Sequence, residues 1–313
     1  MKNDVSHALK MAVSVFVLGT SLVTAFGYMQ HGGEFFQKSK PAGFQVVSLN
    51  SFEDFGRFFS SNGFSISAWR SGEQLVPRII LTDIPEAWGD EIAPNLEVKE
   101  KKTSFFSIAV PLVLTSNEEI QENRELLLSI SPDEISHKSE AWLLEQAERY
   151  RIKDFKNIKN LITKLNRRMD IVPVSIAVAQ MAEESGWGTS RFAAEGNALF
   201  GQWSYKGGMK PRGQRSEKGD YRIQRFDSPL DSVRAYMLNL NSNKAYTEFR
   251  QEREILRNST GTVSGKKLVE FLTSYSERGE KYIEGLKSII SVNELSSFDS
   301  AQLDPKPGFY LEL

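Results

Sequence analysis

The run Glu183-Glu184-Ser185-Gly186-Trp187-Gly188-Thr189-Ser190 ends an apolar segment with two carboxylates, two glycines and a tryptophan held between them. A carboxylate in the last turn of an apolar helix is suited to proton transfer, because apolar neighbours and the negative end of the helix dipole both disfavour its charged form. Val174, Ala177, Val178, Met181 and Ser185 recur at three- and four-residue spacing and define one buried stripe. At about 100° per residue Glu184 falls on the flank of that stripe and Glu183 opposite it. Glu184 is therefore expected to be half-buried, with a raised pKa. A general acid for glycosidic bond cleavage must keep its proton near neutral pH, which needs a rise of about two units, or about 2.7 kcal/mol. Taken singly, a helix-end glutamate is more often a solvated side chain. The context favours chemistry, since Gly186 and Gly188 exceed what a helix cap uses. Trp187 offers a flat apolar body with a polar edge to a pyranose ring, or else anchors a core.

The elements that must position Glu184 follow from the flanking pattern. Asp170 and Pro173 mark the start of its helix, proline being tolerated in the first turn where its missing N–H costs nothing. Asp133 to Tyr150 and Ile152 to Met169 read as amphipathic helices packing beside it, with Ile158, Leu161, Ile162 and Leu165 in phase. Phe105 to Leu114 reads as a buried helix leading into a solvated one from Glu118. After the motif, Tyr205 to Tyr221 carries Gly207-Gly208, Pro211, Gly213 and Gly219-Asp220, the turn signals of a hairpin or flap. Ser228-Pro229-Leu230-Asp231 makes a capping-box-like start, followed by the stripe Val233, Tyr236, Met237 and Leu240. Helices are expected over Ser264 to Tyr275 and Gly279 to Ile290, and the tail from Ser296, with Pro305 and Pro307, reads as irregular. The fold class is α+β, mainly helical, with one small β lobe.

Composition limits the remaining classes. Lys and Arg total 39 against 40 Asp and Glu among 313 residues, so no global basic field draws the chain to nucleic acid. Cysteine is absent and His7, His31 and His137 are scattered, so neither a metal nor another cofactor is expected. Lys2 and Lys10 precede an apolar run from Met11 to Phe26, which reads as an export segment. Val23 and Ala25 fit a small-residue cleavage site, while the run through Tyr28 approaches the roughly 18 residues that permit a membrane span. Signal peptide and membrane anchor both remain open, and both place the rest of the chain outside the cytoplasm.

Ala179 to Ser190, with Gly196-Asn197-Ala198-Leu199-Phe200-Gly201-Gln202-Trp203 and Asp227 to Asn241, resembles bacterial glucosaminidase domains of the Bax type. These belong with the peptidoglycan-cleaving N-acetylglucosaminidases of glycoside hydrolase family 73. Val76-Pro77-Arg78, Phe105-Phe106 and Pro111 to Leu114 extend the likeness over roughly residues 75 to 295. The resemblance implies a lysozyme-like domain, glycan strands of peptidoglycan as substrate, a periplasmic or cell-envelope location and an acid catalyst at Glu184. It also implies an acidic residue in the β lobe, for which Glu217 and Asp220 are candidates and Glu195 a weaker one. Otherwise the substrate's acetamido group serves as nucleophile. Trp187, Phe200, Trp203 and Tyr275 are candidates for the sugar platform, Tyr275 having a core role as its alternative, and Asn197 for orienting the loop. The expected organisation is a signal peptide or anchor at 1–28, a linker at 29–44, a region of unclear role at 45–150 that packs on the catalytic part, the glucosaminidase domain at 151–293 and an irregular tail at 294–313. Three activities stay in view: hydrolysis after N-acetylglucosamine, lytic transglycosylation, and wall binding without catalysis.

Overall fold

The computed structural model describes residues 43–213 and 219–312; the apolar amino-terminal run, the linker up to residue 42 and Glu217 lie outside them. The described chain opens with β1 (Gln45–Ser48), α1 (Phe52–Ser61), α2 (Ile66–Ser71) and β2 (Ile79–Leu81). Ser51 starts α1 by accepting the Asp54 N–H on its hydroxyl, and Phe55 and Phe58 are buried. Helix α3 then runs unbroken from Val98 to Ser129. The expected pair of helices is thus one element, with Pro111 inside it. An interior proline costs about 3 kcal/mol. Burial of Val110, Leu112 and Val113 around it, at about 1.5–3 kcal/mol each, outweighs that cost.

Helices α4 (His137–Arg149) and α5 (Ile158–Arg168) bury Leu143, Ala147, Leu161 and Leu165 in a cluster with Leu127 and Met169. Both begin a few residues later than the periodicity suggests, because Ser136 and Asn157 hold their side chains as caps. Helix α6 (Val174–Ser185) carries the motif. It is not half-exposed: ten of its twelve residues are buried and only Glu183 and Glu184 are partly accessible. The one-sided stripe read from sequence is wrapped on the other side as well, because α3 and the carboxy-terminal elements pack against α6 together.

Pro173 stands just before α6, while Asp170 is not its cap. The Asp170 carboxylate is buried and accepts two hydrogen bonds from Arg257, at 2.9 and 2.5 Å, with Arg253 at 3.6 Å. The first turn of α6 is instead capped from far along the chain. Asp299 accepts the Ser175 N–H at 2.8 Å, the Ser175 hydroxyl at 2.9 Å and the Gly265 N–H at 2.9 Å. Burial raises the Asp299 pKa, against these donors.

Beyond α6 come α7 (Arg191–Gly196) and a small lobe in which β3 (Trp203–Ser204) pairs antiparallel with β4 (Arg222–Ile223). Helix α8 (Pro229–Ser242) begins at the Ser228 cap and buries Val233, Tyr236, Met237 and Leu240. Helices α9 (Thr247–Thr260), α10 (Gly265–Leu268) and α11 (Glu280–Val292) follow. The helix expected over Ser264 to Tyr275 is a short α10 continued by a 3₁₀ segment, Val269–Tyr275, whose path breaks at Phe271 and Leu272.

The tail corrects the expectation of an irregular 294–313. A 3₁₀ segment, Leu295–Ser300, carries Asp299, and β5 (Phe309–Glu312) is the middle strand of a parallel sheet ordered β1-β5-β2. Tyr310 faces both Val46 and Ile80 in register. Pro305 and Pro307 precede the strand without entering it, so their missing donors cost the ladder nothing. One continuous core runs from Leu49 through Ile176 to Leu311, across the expected boundary at 150. The architecture is mainly helical α+β, as expected.

Candidate active site

Three successive residues after α6, Gly186, Trp187 and Gly188, adopt φ of +59°, +63° and +80°. Such a turn needs glycine, and Trp187 bears about 1–2 kcal/mol of strain in it. Hydrogen bonds hold it there: the Trp187 N–H donates to the Ala182 carbonyl at 2.9 Å, and the Gly188 N–H to the Ser185 hydroxyl at 2.8 Å. The Trp88 indole N–H donates to the Trp187 carbonyl at 3.1 Å. A Cβ on Gly188 would meet that same indole nitrogen at 3.1 Å. The turn directs the Trp187 ring onto the edges of Phe105 and Phe106, 5.4 and 5.8 Å between centroids, with the Lys102 ammonium 4.9 Å from its centre. Of the two readings the sequence offers for Trp187, these contacts support the anchor: the partly buried ring holds the turn.

Glu184 projects from the last turn of α6 into a cluster of tyrosines. Its Oε1 accepts from the Tyr282 hydroxyl of α11 at 2.7 Å. Tyr275 stacks parallel to Tyr282 with centroids 5.7 Å apart, and Tyr236 and Tyr246 close on Tyr275 at 6.3 and 6.1 Å. Gln180, one turn earlier on α6 and 0% exposed, donates from Nε2 to the Tyr282 oxygen at 2.9 Å and accepts from the Tyr236 hydroxyl at 2.6 Å. Burial raises the Glu184 pKa; the Tyr282 hydrogen bond opposes that rise, the Glu183 charge adds to it and Arg278 subtracts. Burial likewise pushes Tyr246 up to about 12 and raises Tyr236, Tyr275 and Tyr282, so these hydroxyls keep their protons.

Glu183 is not isolated on the far side of the helix. It pairs with Arg278 at 2.5 Å, and the Arg278 guanidinium lies 5.1 Å from the centre of the Tyr282 ring. The Glu183–Arg278 salt bridge and the Glu184 carboxylate thus share one edge of the site.

The remaining expected residues divide. Tyr275 joins the Glu184 cluster. Phe200 does not offer a face to sugar: it is 3% exposed and stacks on Tyr236 at 3.9 Å and 5°. Asn197, buried at φ +52°, ties the small lobe to the segment after β2. Its Oδ1 accepts the Ile84 N–H at 3.0 Å, and its Nδ2 donates to Asp83 at 3.0 Å and to the Phe226 carbonyl at 3.3 Å. Trp203 on β3 is 49% exposed and stacks on the buried Tyr221 with centroids 4.4 Å apart, so Tyr221 backs a half-exposed indole. Glu195 is engaged by Arg191 at 2.9 Å and by Arg225. Asp220 lies 3.6 Å from Arg222, and Glu217 falls outside the described residues. Among the described residues no group of His, Cys, Asp and Glu is arranged to hold a metal ion. An apolar cavity of about 250 Å³, walled by Phe52, Trp88 and Phe105, touches α6 at Met181 and does not include Glu184.

Sequence reasoning missed Gln180, Tyr236, Tyr246, Arg278 and Tyr282 as members of the site. Gln180 carried a usable signal, since an amide inside an apolar helix must find buried partners.

A family model described as Glucosaminidase, mannosyl-glycoprotein endo-beta-N-acetylglucosaminidase, matches residues 159–295. Protein bax of Escherichia coli strain K12 is 32% identical over 196 residues, spanning 62% of this chain and 70% of bax. The chain belongs to the Bax-type glucosaminidase-domain proteins. Its family places it among the glycoside hydrolases. Among solved structures it is similar to the catalytic domain of the autolysin Auto from Listeria monocytogenes, at 16% identity and a TM-score of 0.33, covering 57% of this chain and 96% of that one. The matched span 159–295 contains Glu184 and all four tyrosines of its cluster.

Proposed function

We propose that this Bax-type chain hydrolyses the β-1,4 bond after N-acetylglucosamine in peptidoglycan, with Glu184 as the general acid. The observation that carries the reading is a half-buried carboxylate at the end of a buried helix, its pKa raised by burial. A raised pKa is what a general acid needs in order to carry a proton to the substrate. Glu184 donates that proton to the glycosidic oxygen as the C1–O bond breaks, and water completes the sugar end. The carboxylate left behind keeps the Tyr282 hydroxyl as donor, a charge-assisted bond that gains strength as the negative charge develops. Trp203, backed by the buried Tyr221, supplies the exposed stacking surface, and Glu217 or the substrate's own acetamido group supports the developing positive charge at C1.

Glu184→Gln should lower turnover on purified glycan strands by ~100-fold or more with folding preserved; turnover near that of the parent protein overturns the assignment. Product masses separate the two cleavage chemistries, since a hydrolysed end carries one water more than an anhydro end. We place the site of action in the cell envelope, on the outer side of the cytoplasmic membrane, supported by the apolar run after Lys10 and by the proposed substrate. Amino-terminal sequencing of fractionated cells tests this: a mature end at Phe26 or a membrane-bound full chain fits, and a soluble cytoplasmic chain retaining Met1 does not.

A further inference from the structure

We infer that Gln180 and Tyr236 are positioning residues that act on Glu184 through Tyr282, aiming the Tyr282 proton at Oε1 and so reserving Oε2 for the proton that the reaction transfers. This rests on the reading of Glu184 as the acid.

The direction of the chain follows from counting donors and acceptors. An amide offers one carbonyl end and one NH₂ end, and a tyrosine hydroxyl has a single proton. The Tyr236 proton goes to Gln180 Oε1 at 2.6 Å, which commits the carbonyl end. The NH₂ end then faces Tyr282 and donates to its oxygen at 2.9 Å. Tyr282 is thereby an acceptor on that side, and its one proton goes to Glu184 Oε1 at 2.7 Å. With the amide turned over, Gln180 would compete for the Tyr282 proton, Glu184 would lose its donor, and the Tyr236 proton would lose its acceptor in a fully buried setting. A buried donor without a partner is costly. Tyr236, which does not touch Glu184 in this chain of bonds, thus selects the amide orientation that serves it.

Other groups face the same carboxylate. Glu183 of α6 and Arg278 before α11 act on it by charge. Tyr275 of the 3₁₀ segment and Tyr246 before α9 stay neutral, as do Tyr236 and Tyr282. The chain is set apart by its direction: it stabilises the charged carboxylate through one oxygen only.

The test measures the protonation of Glu184 itself, by carboxyl carbon NMR titration of the folded chain, beside kcat and KM as functions of pH. Tyr282→Phe removes the donor and should move the Glu184 titration upward by about one unit, the effect of losing one hydrogen bond to a charged group. Tyr236→Phe and Gln180→Met should move it in the same direction and lower kcat by ~10-fold with KM nearly unchanged. The Tyr236→Phe/Tyr282→Phe double variant should shift no further than Tyr282→Phe alone, because both act through one proton. Near-ultraviolet circular dichroism verifies each fold, and Gln180→Met decides the matter if Tyr236→Phe does not fold. A titration left in place by Tyr236→Phe and Gln180→Met, or shifts that add in the double variant, overturns the inference. The two readings fail separately. A Glu184→Gln protein that still turns over, with the titration shifts present, removes the acid assignment and leaves the chain of bonds standing. An inactive Glu184→Gln with no titration shift in the tyrosine and glutamine variants does the reverse.

Discussion

Replacing Glu183 by Gln should shift the pH dependence of activity, although Glu183 is not the proposed acid. The substitution removes a negative charge adjacent to Glu184 and releases Arg278 from its 2.5 Å salt bridge. Both changes favour the ionised form of Glu184: the charge of Glu183 raises its pKa and that of Arg278 lowers it. The magnitude is modest because the Arg278 side chain is 54% exposed and solvent screens it. Unit charges a few ångströms apart in near-aqueous surroundings interact by about 1 kcal/mol or less, so the expected downward shift is about half a pKa unit. A general acid works in its protonated form, so activity is present below its pKa and falls as pH rises through it. The high-pH limb of kcat/KM should therefore move down by about half a unit, a loss of about threefold on that limb. Arg278→Gln should move the limb up, since it removes the cation and leaves Glu183 uncompensated. The double variant should return it toward the original position. The measurement is kcat/KM on soluble glycan strands across pH, with circular dichroism as the control for folding. An upward shift for Glu183→Gln, or shifts of the same sign for both single variants, refutes the electrostatic account.

Asp170→Asn should cost about 3–5 kcal/mol in urea unfolding, because it leaves Arg253 and Arg257 without their buried counter-charge. Burial pushes the Asp170 pKa up, but Arg253 and Arg257 outweigh it and hold the group below its ordinary value. Its contribution is therefore present above the unfolded pKa of about 3.9 and lost as pH falls through the folded value; the Asn variant should lose this part of the acid sensitivity, which unfolding midpoints at pH 7 and pH 3 will reveal. Trp203→Ala should raise KM by about fivefold, roughly 1 kcal/mol of lost stacking, with little change in Tm. Phe200→Leu should do the opposite, lowering stability by about 1–3 kcal/mol through the gap left against Tyr236 while KM stays near its original value; a KM effect as large as that of Trp203→Ala would return Phe200 to the substrate surface.

The local features around Glu184 were legible in the sequence because neighbours in the chain create them. The apolar spacing from Val174 to Ser185 makes a helix, paired glycines permit a left-handed exit, and Ser228 with Asp231 writes a helix start. What lay beyond reach depends on residues that meet only after folding. Glu183 looked solvated because helical phase says nothing of Arg278, 95 positions later. Phe200 and Trp203 are equally aromatic in the same motif, and only packing decides that one is enclosed against Tyr236 while the other, resting on Tyr221, stays half exposed. The tail looked irregular since four residues of strand carry too little periodicity to be read, and β5 is stabilised by strands more than 200 residues away. Asp299 in that tail caps α6, and Gln180 couples α6 to α8 and α11. Composition and periodicity could place a carboxylate at a helix end. The proton affinity of that carboxylate is governed by tyrosines, a glutamine and an arginine brought in from distant elements, since desolvation and hydrogen bonding act through space and not along the chain.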